Sequence, residues 1–204
     1  MSFYKKFILP KAINWVCDQS PSRKQRKKII PLASGNVLEI GIGSGLNLPF
    51  YTSKVKMLTA IDPLKELWKR TQVNTEKLPF SFEFIVAKAE NIPLANNSYD
   101  TIIITYTLCT IPNLDKAFLE IKRVLKPNGK LLFCEHGKAP GKFVQKYQNV
   151  INPVWKKIGG GCNLNRNIPA IIKENGFKIN KLETMYLPGW KPASYNYWGI
   201  AVIK

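Results

Sequence analysis

The chain has 204 residues, of which 45% are hydrophobic, and a formal net charge of +18 at pH 7. This length and composition suit one α/β domain with a full core, while no apolar run approaches the roughly 20 residues that a membrane span requires. The amino-terminal stretch is too interrupted for a signal peptide, and the widely spaced cysteines argue against a disulfide framework or a zinc site. We therefore expect a cytoplasmic protein, without a metal, that carries reduced thiols at Cys17, Cys109, Cys134 and Cys162.

Strand-like and helix-like patterns alternate along the chain. Apolar runs predict strands at residues 36–41, 56–62, 81–87, 99–106, 130–136, 177–187 and 195–203. Helical patterns lie between them, in PLKELWKRTQVN after Asp62, in LDKAFLEIKRVL from Leu114 and in IPAIIKEN from Ile168. The tetrapeptide KPNG, Lys126–Gly129, is expected to end one helix and turn into the next strand.

This order predicts the architecture. Repeated strand–helix–strand units give a mostly parallel sheet with helices on both faces, a Rossmann-like three-layer α/β sandwich. The last two strands have no helical pattern between them, so we expect an antiparallel pair. We see no repeat and no linker, and predict a single domain over residues 1–204. A longer segment, residues 138–162, is expected to cover the ligand crevice at the carboxyl ends of the strands as a lid.

Three closely spaced glycines follow the first predicted strand. Gly41, Gly43 and Gly45 are spaced G-x-G-x-G, one residue tighter than the dinucleotide fingerprint. Glu39 would repel a pyrophosphate at this position but suits a ligand with an amino group or a sulfonium. Asp62 ends the second strand, where an acid can accept hydrogen bonds from both hydroxyls of a ribose. Together these features indicate S-adenosylmethionine as the cofactor.

The same segments resemble the motifs of the class I S-adenosylmethionine-dependent methyltransferases. VLEIGIGSG, AIDP, VAKAENIPLANNSYDTIII and FLEIKRVLKPNGKLLFCEH are similar to four successive family motifs. The family often has an acid or glycine where this chain has Lys88. The resemblance implies a seven-stranded sheet with an antiparallel last strand, S-adenosylhomocysteine as the product, and cofactor contacts from Glu39, Gly41, Gly43, Gly45, Asn47, Asp62, Pro63, Ala89, Glu90 and Thr105.

A narrower resemblance covers the carboxyl-terminal half. TLCTI, EHG, NPVWKKIGGGCNLNR and YLPG are similar to a subgroup that includes methyltransferase-like thiol S-methyltransferases of animals and uncharacterised bacterial proteins. The subgroup is also loosely similar to quinone and phospholipid methyltransferases. This resemblance implies in-line methyl transfer to a small acceptor that is apolar or carries a thiol.

Candidates for the acceptor site lie after the fourth and fifth strands. His136, the only histidine, could act as a general base or shape the crevice through a hydrogen bond, and Glu135 adjoins it. Tyr106 is a substrate-side candidate. Cys109 is better explained as a buried thiol than as a covalent nucleophile, because no Pro-Cys pair is present.

The segment GGGCNLNR and the aromatic residues near the end give further candidates. Asn163 and Arg166 could bind a substrate head group or pin the lid to the body, and Asn163 could instead cap the following helix. Trp190 belongs to an aromatic group that could wall an apolar pocket or only pack the last strand pair. The other members of this group are Tyr186, Tyr195, Tyr197 and Trp198.

The amino-terminal residues 1–34 are expected to cover the crevice. FYKKFILPKAINWV has apolar residues at helical spacing on both sides of Pro10, which should end or kink the first helical turns. We predict a helix or helix pair over residues 1–28 that packs beside the cofactor and lets Tyr4 approach it. Phe3, Phe7, Ile8, Ile13 and Trp15 would otherwise form a large exposed patch.

The positive charge leaves two further alternatives open. The run RKQRKK, Arg23–Lys28, follows this amphipathic stretch, and a basic amphipathic segment can lie on an anionic membrane surface. Peripheral contact with the inner face of a membrane is therefore expected beside the cytoplasmic location. The same charge admits an RNA-modifying methyltransferase or a nucleic-acid-binding protein, or simply a lysine-rich composition without a role. No obligate protein partner is indicated.

Overall fold

A computed structural model describes residue 4 and residues 8–204. Seven strands form one sheet in the order β3-β2-β1-β4-β5-β7-β6. The strands are β1 Gly35–Ile40, β2 Val55–Ile61, β3 Ser81–Ile85, β4 Tyr99–Thr105, β5 Leu125–His136, β6 Phe177–Tyr186 and β7 Tyr195–Ile203. The helices are α1 Leu9–Cys17, α2 Ser20–Ile29, α3 Lys65–Trp68, α4 Leu114–Val124, α5 Lys142–Ile158, α6 Ile168–Glu174 and α7 Lys191–Ser194. Among the described residues, none of the helices combines the length and the apolar character needed to span a bilayer.

The pairing confirms the predicted sheet. Strands β1 to β5 pair in parallel, and β7 runs antiparallel to both of its neighbours, β5 and β6. All seven predicted strands are present, with small shifts at their ends. Strand β5 differs most, because it begins at Leu125 and includes KPNG. Its register against β4 jumps there from Leu125 to Lys130, so the tetrapeptide forms an irregularity within the strand.

Apolar side chains cover both faces of the sheet and produce the three layers. On one face, Phe118 of α4 and Ile168 and Ile172 of α6 are fully buried against the strands. On the other, Ile29 at the end of α2 and the adjacent Ile30 are fully buried. Removing each such side chain from water stabilises the fold by roughly 1.5–3 kcal/mol, so the core itself holds the helices in register with the strands.

The helix predicted after Asp62 is much shorter than its pattern. Helix α3 spans only Lys65–Trp68, and the Trp68 ring stacks on Phe82 and Phe84 of β3 with ring centroids 5.2 and 5.0 Å apart. The following β-branched residues, which are weak helix formers, continue as irregular chain. Helix α4 matches its prediction, and the side chain of Asn113 caps it by accepting a hydrogen bond of 3.0 Å from the Lys116 amide.

Pro10 lies at the start of helix α1, and the prediction that it ends or kinks the turns before it falls partly on residues 5–7, which lie outside the described part of the chain. Pro10 occupies the first turn of α1, where the missing amide hydrogen leaves no helical hydrogen bond unmade. The break in the segment comes after Cys17, and α2 follows with Pro21 in its own first turn. The predicted apolar positions Phe3 and Phe7 lie outside the described residues.

Candidate functional site

A cavity of about 590 Å³ lies at the carboxyl ends of the parallel strands. This is the edge of the sheet at which open α/β folds bind their ligands. Nine of the residues put forward from the sequence contribute to its wall. They are Gly41, Gly43, Asn47, Asp62, Pro63, Ala89, Glu90, Thr105 and Tyr106.

The loop after β1 and the end of β2 are joined by the Asp62 carboxylate. One oxygen accepts a hydrogen bond of 2.9 Å from the Gly43 amide, and the other accepts one of 2.7 Å from the Leu64 amide. Gly41 and Gly43 have φ angles of 78° and 58°, the left-handed region that favours glycine. Burial raises the pKa of Asp62. The two backbone hydrogen bonds hold the carboxylate in place at the cavity wall.

Gly45 has a different role from the other two glycines. It does not line the cavity, and a Cβ atom built on it would lie 2.8 Å from the Leu48 side chain. Its φ angle is 79°. Gly45 therefore allows the loop to turn and pack, while Gly41 and Gly43 form the wall itself.

Glu39 is buried behind the cavity wall and does not line the cavity. Its carboxylate is 1% exposed and accepts hydrogen bonds of 2.6 Å from the Tyr51 hydroxyl and 2.8 Å from the Asn47 amide nitrogen. The same nitrogen of Asn47 lies 3.0 Å from the Thr105 hydroxyl. Burial raises the pKa of Glu39 to about 7. The structure thus gives Glu39 an orienting role for Asn47, which does reach the cavity.

Arg26 is a cavity residue that the sequence reading placed within a solvated basic run. It is 3% exposed, and its side chain donates hydrogen bonds to Asn47 at 2.9 Å and to the Cys17 carbonyl at 2.6 Å. Its guanidinium carbon lies 5.2 Å from the centre of the Tyr106 ring. The sequence contains one indication that Arg26 is buried. Ile29 and Ile30 follow it by three and four residues, and this spacing places Arg26 on the same, buried face of the helix.

Helix α1 forms another part of the wall. Ile13, Asn14 and Cys17 line the cavity, and the Ser44 hydroxyl donates a hydrogen bond to Asn14. The first described residue, Tyr4, donates through its hydroxyl to the Ile158 carbonyl at 2.6 Å, and it does not line the cavity. The amino-terminal segment therefore meets both the glycine loop and the end of α5.

At the far side of the cavity, the chain after β3 contributes Lys88, Ala89 and Glu90. Glu90 accepts a hydrogen bond of 3.3 Å from the Asn113 amide, which ties this loop to the start of α4. The apolar side chains of Leu64 and Ile111 lie in the same wall. Flat apolar walls beside a few polar groups suit a heteroaromatic ring.

Glu135 is buried beside the loop that follows β4. It is fully buried and accepts backbone hydrogen bonds from Thr107 at 2.7 Å and Leu108 at 2.9 Å. Burial raises its pKa to about 7. Glu135 does not line the cavity, so its contacts make it a support for the loop next to the ligand site.

His136 contacts a cysteine at a distance from the cavity wall. Its Nε2 atom lies 3.2 Å from Sγ of Cys162, and its buried Nδ1 has no hydrogen-bond partner among the described residues. Ligand atoms of Cys109, His136 and Cys162 all lie within 4.8 Å of one another. Hydrogen bonding from Cys109, together with His136, lowers the pKa of Cys162 to about 4.

This cluster was not visible in the sequence, where the spacing of the cysteines argued against a metal. The fold brings Cys109 from the loop after β4, His136 from the end of β5 and Cys162 from the segment after α5 to one place. Two thiols and an imidazole are donors of the kind that zinc prefers. Without an ion, His136 and Cys162 are in hydrogen-bond contact with each other, and the Cys109 thiol lies 3.7 Å from the Tyr106 carbonyl oxygen.

Asn163 and Arg166 attach the segment after α5 to the loop after β4. The Asn163 side chain donates to the Cys109 carbonyl at 2.9 Å, and Arg166 donates to the Ile111 carbonyl at 2.8 Å and also to Leu108. The idea that Asn163 caps the next helix is wrong, because Asn167 caps α6 by accepting from the Ala170 amide. Sequence position alone did not distinguish two asparagines four residues apart.

Trp190 lies outside the cavity wall. Its ring packs against Trp155 at 5.4 Å and against Tyr147 at 6.4 Å, on the outside of α5. The Tyr195 ring packs between Tyr186 and Tyr197, with centroids 4.9 and 5.1 Å away. The aromatic group near the end of the chain thus packs β6, β7 and α5 together.

Comparison with known proteins agrees with this geometry. The family model described as "Methyltransferase domain" matches residues 38–133. Thiol S-methyltransferase TMT1B of Rattus norvegicus is 37% identical over 171 residues, which cover 81% of this chain and 70% of the relative. Human thiol S-methyltransferase TMT1A is 31% identical over 178 residues, covering 84% and 72%. A ubiquinone/menaquinone biosynthesis C-methyltransferase, UbiE of Rickettsia bellii, is 31% identical over 144 residues, covering 64% and 58%.

Solved structures share the fold at lower identity. A SAM-dependent methyltransferase from Aquifex aeolicus has a TM-score of 0.60 at 20% identity, over 94% of this chain and 97% of that one. A Haemonchus contortus N-methyltransferase in complex with phosphomonomethylethanolamine and S-adenosylhomocysteine has a TM-score of 0.72 at 20% identity, over 96% and 57%. With the cavity and the glycine loop described above, these relationships show that the chain belongs to the class I S-adenosylmethionine-dependent methyltransferases, in the group that includes the thiol S-methyltransferases.

Proposed function

We propose that this methyltransferase transfers the methyl group to the sulfur of a small thiol. The relatives named thiol S-methyltransferases, which match four fifths of the chain, support this acceptor. When bound, S-adenosylmethionine supplies an electrophilic methyl on a sulfonium, which an acceptor attacks in line. The relatives give no support to an RNA acceptor.

The residues of the cavity wall fit this cofactor. Asp62 would accept hydrogen bonds from the ribose hydroxyls, since it directly follows β2 and its carboxylate is held in place at the cavity wall. Arg26 and Asn47 would bind the amino-acid end, because they present a cation and an amide at the glycine loop. Ala89 and Glu90 lie where the adenine would pack. The backbone of Gly43 leaves open space for close approach.

The protein's part in catalysis is mainly to hold the two reactants together and exclude water. Burial raises the pKa of Tyr106 well above its ordinary value, so its hydroxyl stays protonated, and it lies 3.5 Å from the side-chain oxygen of the buried Asn196. A free thiol has a pKa near 8.5, so a small fraction has already lost its proton to water at neutral pH, and this thiolate can attack the methyl without a general base in the protein. The Arg26 guanidinium at the wall would favour the thiolate form of such an acceptor.

We also propose that residues 1–34 cover the cofactor and that residues 138–162 close the acceptor side. The cavity contacts of Ile13, Asn14 and Arg26 support the first part. The hydrogen bonds that Asn163 and Arg166 make to the loop after β4 support the second. The location is proposed to be cytoplasmic, which agrees with cysteines that are all free.

The Asp62 carboxylate at the cavity wall is the observation that carries the proposed function. Asp62→Asn should weaken S-adenosylmethionine binding by about tenfold or more, because a charge-assisted hydrogen bond is worth roughly 1.5–3 kcal/mol. Isothermal titration measures this, with Asp115→Asn on the exposed side of α4 as the matched control. An unchanged dissociation constant in Asp62→Asn would overturn the cofactor assignment.

The acceptor is tested separately with labelled S-adenosylmethionine. Small thiols, quinols and phospholipids are offered to the protein, and methyl transfer is expected to the thiols. Transfer to quinols alone would overturn the thiol proposal and leave the cofactor assignment intact.

A further inference from the structure

Helix α5 presents a row of apolar side chains to solvent. Phe143, Tyr147, Val150, Val154 and Ile158 are 86, 46, 69, 64 and 51% exposed. Their spacing of three and four residues places them along one side of the helix. Scattered exposed apolar side chains are ordinary on protein surfaces, but a continuous row marks an interaction site. These five residues are called the apolar row below.

The orientation of α5 is fixed by a polar residue on its opposite side. Gln148 is fully buried, and the two hydrogens of its amide nitrogen are shared among the carbonyls of Gly137, Leu164 and Pro192, which lie 3.0, 2.9 and 2.8 Å away. Its oxygen accepts from the Ala139 amide at 3.0 Å. A rotation of α5 that buried the apolar row would break all four hydrogen bonds and leave buried polar groups unpaired. The apolar row is therefore held outward by the fold.

Helix α1 adds exposed apolar side chains beside this row. Ile8, Trp15 and Val16 are 48, 69 and 57% exposed. Tyr4, which precedes α1, contacts the end of α5 through the hydrogen bond that its hydroxyl donates to the Ile158 carbonyl. Leu9 at the start of α1 lies close to the chain just after α5, because its side chain is 3.0 Å from the position of a Cβ built on Gly160. Since α1 also lines the cavity, the exposed apolar surface borders the cofactor site.

The charge of α5 and of the chain on both sides of it has one sign. No aspartate or glutamate occurs from residue 136 to residue 173, while seven lysines and arginines do. Lys142, Lys146, Lys156 and Lys157 of α5 are exposed, and Lys11 of α1 is exposed as well. Apolar side chains flanked by lysines are characteristic of helices that lie in the interface of an anionic bilayer.

We propose that the apolar row of α5, together with Ile8, Trp15 and Val16 of α1, docks this enzyme on an anionic lipid bilayer. The lysines contact lipid phosphates while the apolar side chains enter the boundary of the acyl chains. A bilayer fits better than a second copy of this chain, because two copies would bring lysine-rich surfaces of like charge together. If the enzyme docks on a bilayer and the proposed function holds, its acceptors are thiols dissolved in the lipid phase. This part of the inference rests on the proposed function.

Flotation with vesicles tests the docking directly. Vesicles of phosphatidylcholine alone are compared with vesicles that also contain phosphatidylglycerol, and the protein is expected to float only with the anionic ones. Val150→Asp with Val154→Asp should reduce the partition coefficient by about tenfold or more, because each added negative charge opposes the anionic surface. Both side chains are largely exposed, so the fold should tolerate the change.

Leu119→Asp is the matched control, since Leu119 of α4 is 61% exposed and lies outside the surface. Its flotation should equal that of the unchanged protein. Equal flotation of the Val150→Asp, Val154→Asp variant, or no flotation of any form, would overturn the proposal. A concentration-dependent dimer in light scattering that the double variant abolishes would also overturn it, in favour of a contact between copies.

A second measurement separates docking from catalysis. The double variant should bind S-adenosylmethionine and methylate a short water-soluble thiol as the unchanged protein does. Its turnover of a long-chain thiol embedded in anionic vesicles should fall about as much as its flotation. If it loses turnover of both thiols equally, the apolar row is not a docking surface for lipid. If neither form methylates any thiol, the thiol proposal fails and the flotation result still decides the docking.

Discussion

The side chain of Arg26 donates a hydrogen bond of 2.9 Å to the side-chain oxygen of Asn47. This bond joins α2 to the loop after β1, and the Asn47 nitrogen continues the chain of contacts to Glu39 at 2.8 Å. A buried cation and a buried carboxyl are thus linked through one amide. Arg26 and Asn47 are at the cavity wall, so cofactor binding and the attachment of the amino-terminal helices share these residues.

Replacement of Arg26 should therefore weaken the binding of the cofactor. Arg26→Met keeps much of the side chain's length and removes its charge and hydrogen bonds, and the dissociation constant of S-adenosylmethionine should rise by about tenfold. Isothermal titration measures this, and Arg26→Lys should recover part of the loss. Lys27→Met is the control, because Lys27 is its exposed neighbour on α2. Equal affinities for Arg26→Met and Lys27→Met would contradict the role of Arg26.

Two glycines of the loop should respond differently to alanine. A Cβ atom at Gly41 would overlap the Thr107 side chain, whereas one at Gly43 would meet no protein atom within 4 Å. Both positions have positive φ, which costs an alanine roughly 1–2 kcal/mol. Gly41→Ala should therefore lower the free energy of unfolding more than Gly43→Ala.

Cofactor affinity separates the two effects. The Cβ of Gly43→Ala would enter the open space of the cavity, so this variant should bind S-adenosylmethionine more weakly although its fold is nearly retained. Gly141→Ala serves as the control, since Gly141 also has open space around it and lies at the start of α5. Unchanged affinity in Gly43→Ala would show that the ligand does not approach this glycine.

The buried carboxyls Glu39 and Glu135 should make stability depend on pH. Burial raises the pKa of each from 4.5 to about 7, so between these values the folded protein holds protons that the unfolded chain releases. The resulting stability is present below pH 4.5 and is lost as the pH rises through 7. Cys162 titrates with the opposite sign, so the measurement uses a Cys162→Ser background, kept for the Glu135 and Glu174 variants as well. Urea unfolding without cofactor should there give a smaller free energy of unfolding above pH 7 than near pH 5.

Glu135→Gln identifies the source of this dependence. The amide oxygen can still accept from the Thr107 and Leu108 amides, so the fold is kept while the titration is removed. The pH dependence should become shallower in this variant and remain unchanged in Glu174→Gln, whose side chain is exposed on α6. The same slope in all three proteins would refute the assignment.

Cys162 should be a thiolate at neutral pH. Hydrogen bonding from Cys109 and the nearby His136 lower its pKa to about 4, while burial raises the pKa of Cys134 to about 12. The ultraviolet absorbance of a thiolate should therefore be present at pH 7 and titrate with a midpoint near 4. Cys162→Ser should abolish this signal and Cys134→Ser should not. A thiolate absorbance that appears only above pH 8.5, as for a free thiol, would contradict the lowered pKa of Cys162.

Local sequence patterns were enough to predict the sheet and the edge of the sheet at which the cavity lies. Strands such as β1 and β4 could be recognised because alternation and apolar content are local properties of the chain, and Gly41, Gly43 and Asp62 because a turn and a strand end need particular residues. The end of α3 at Trp68 was missed, since the helical pattern continues past it although the stretch contains the weak helix formers Thr71 and Val73.

Long-range packing, which local patterns do not encode, sets which polar residues reach the cavity and which apolar residues reach solvent. Arg26 is buried at the wall, Glu135 supports a loop, and Cys162 meets His136, because each depends on elements far apart in sequence. The apolar row of α5 faces outward because the hydrogen bonds of Gln148 fix the other side inward. Periodicity defines the two sides of a helix, and only packing against the rest of the chain determines which one is buried.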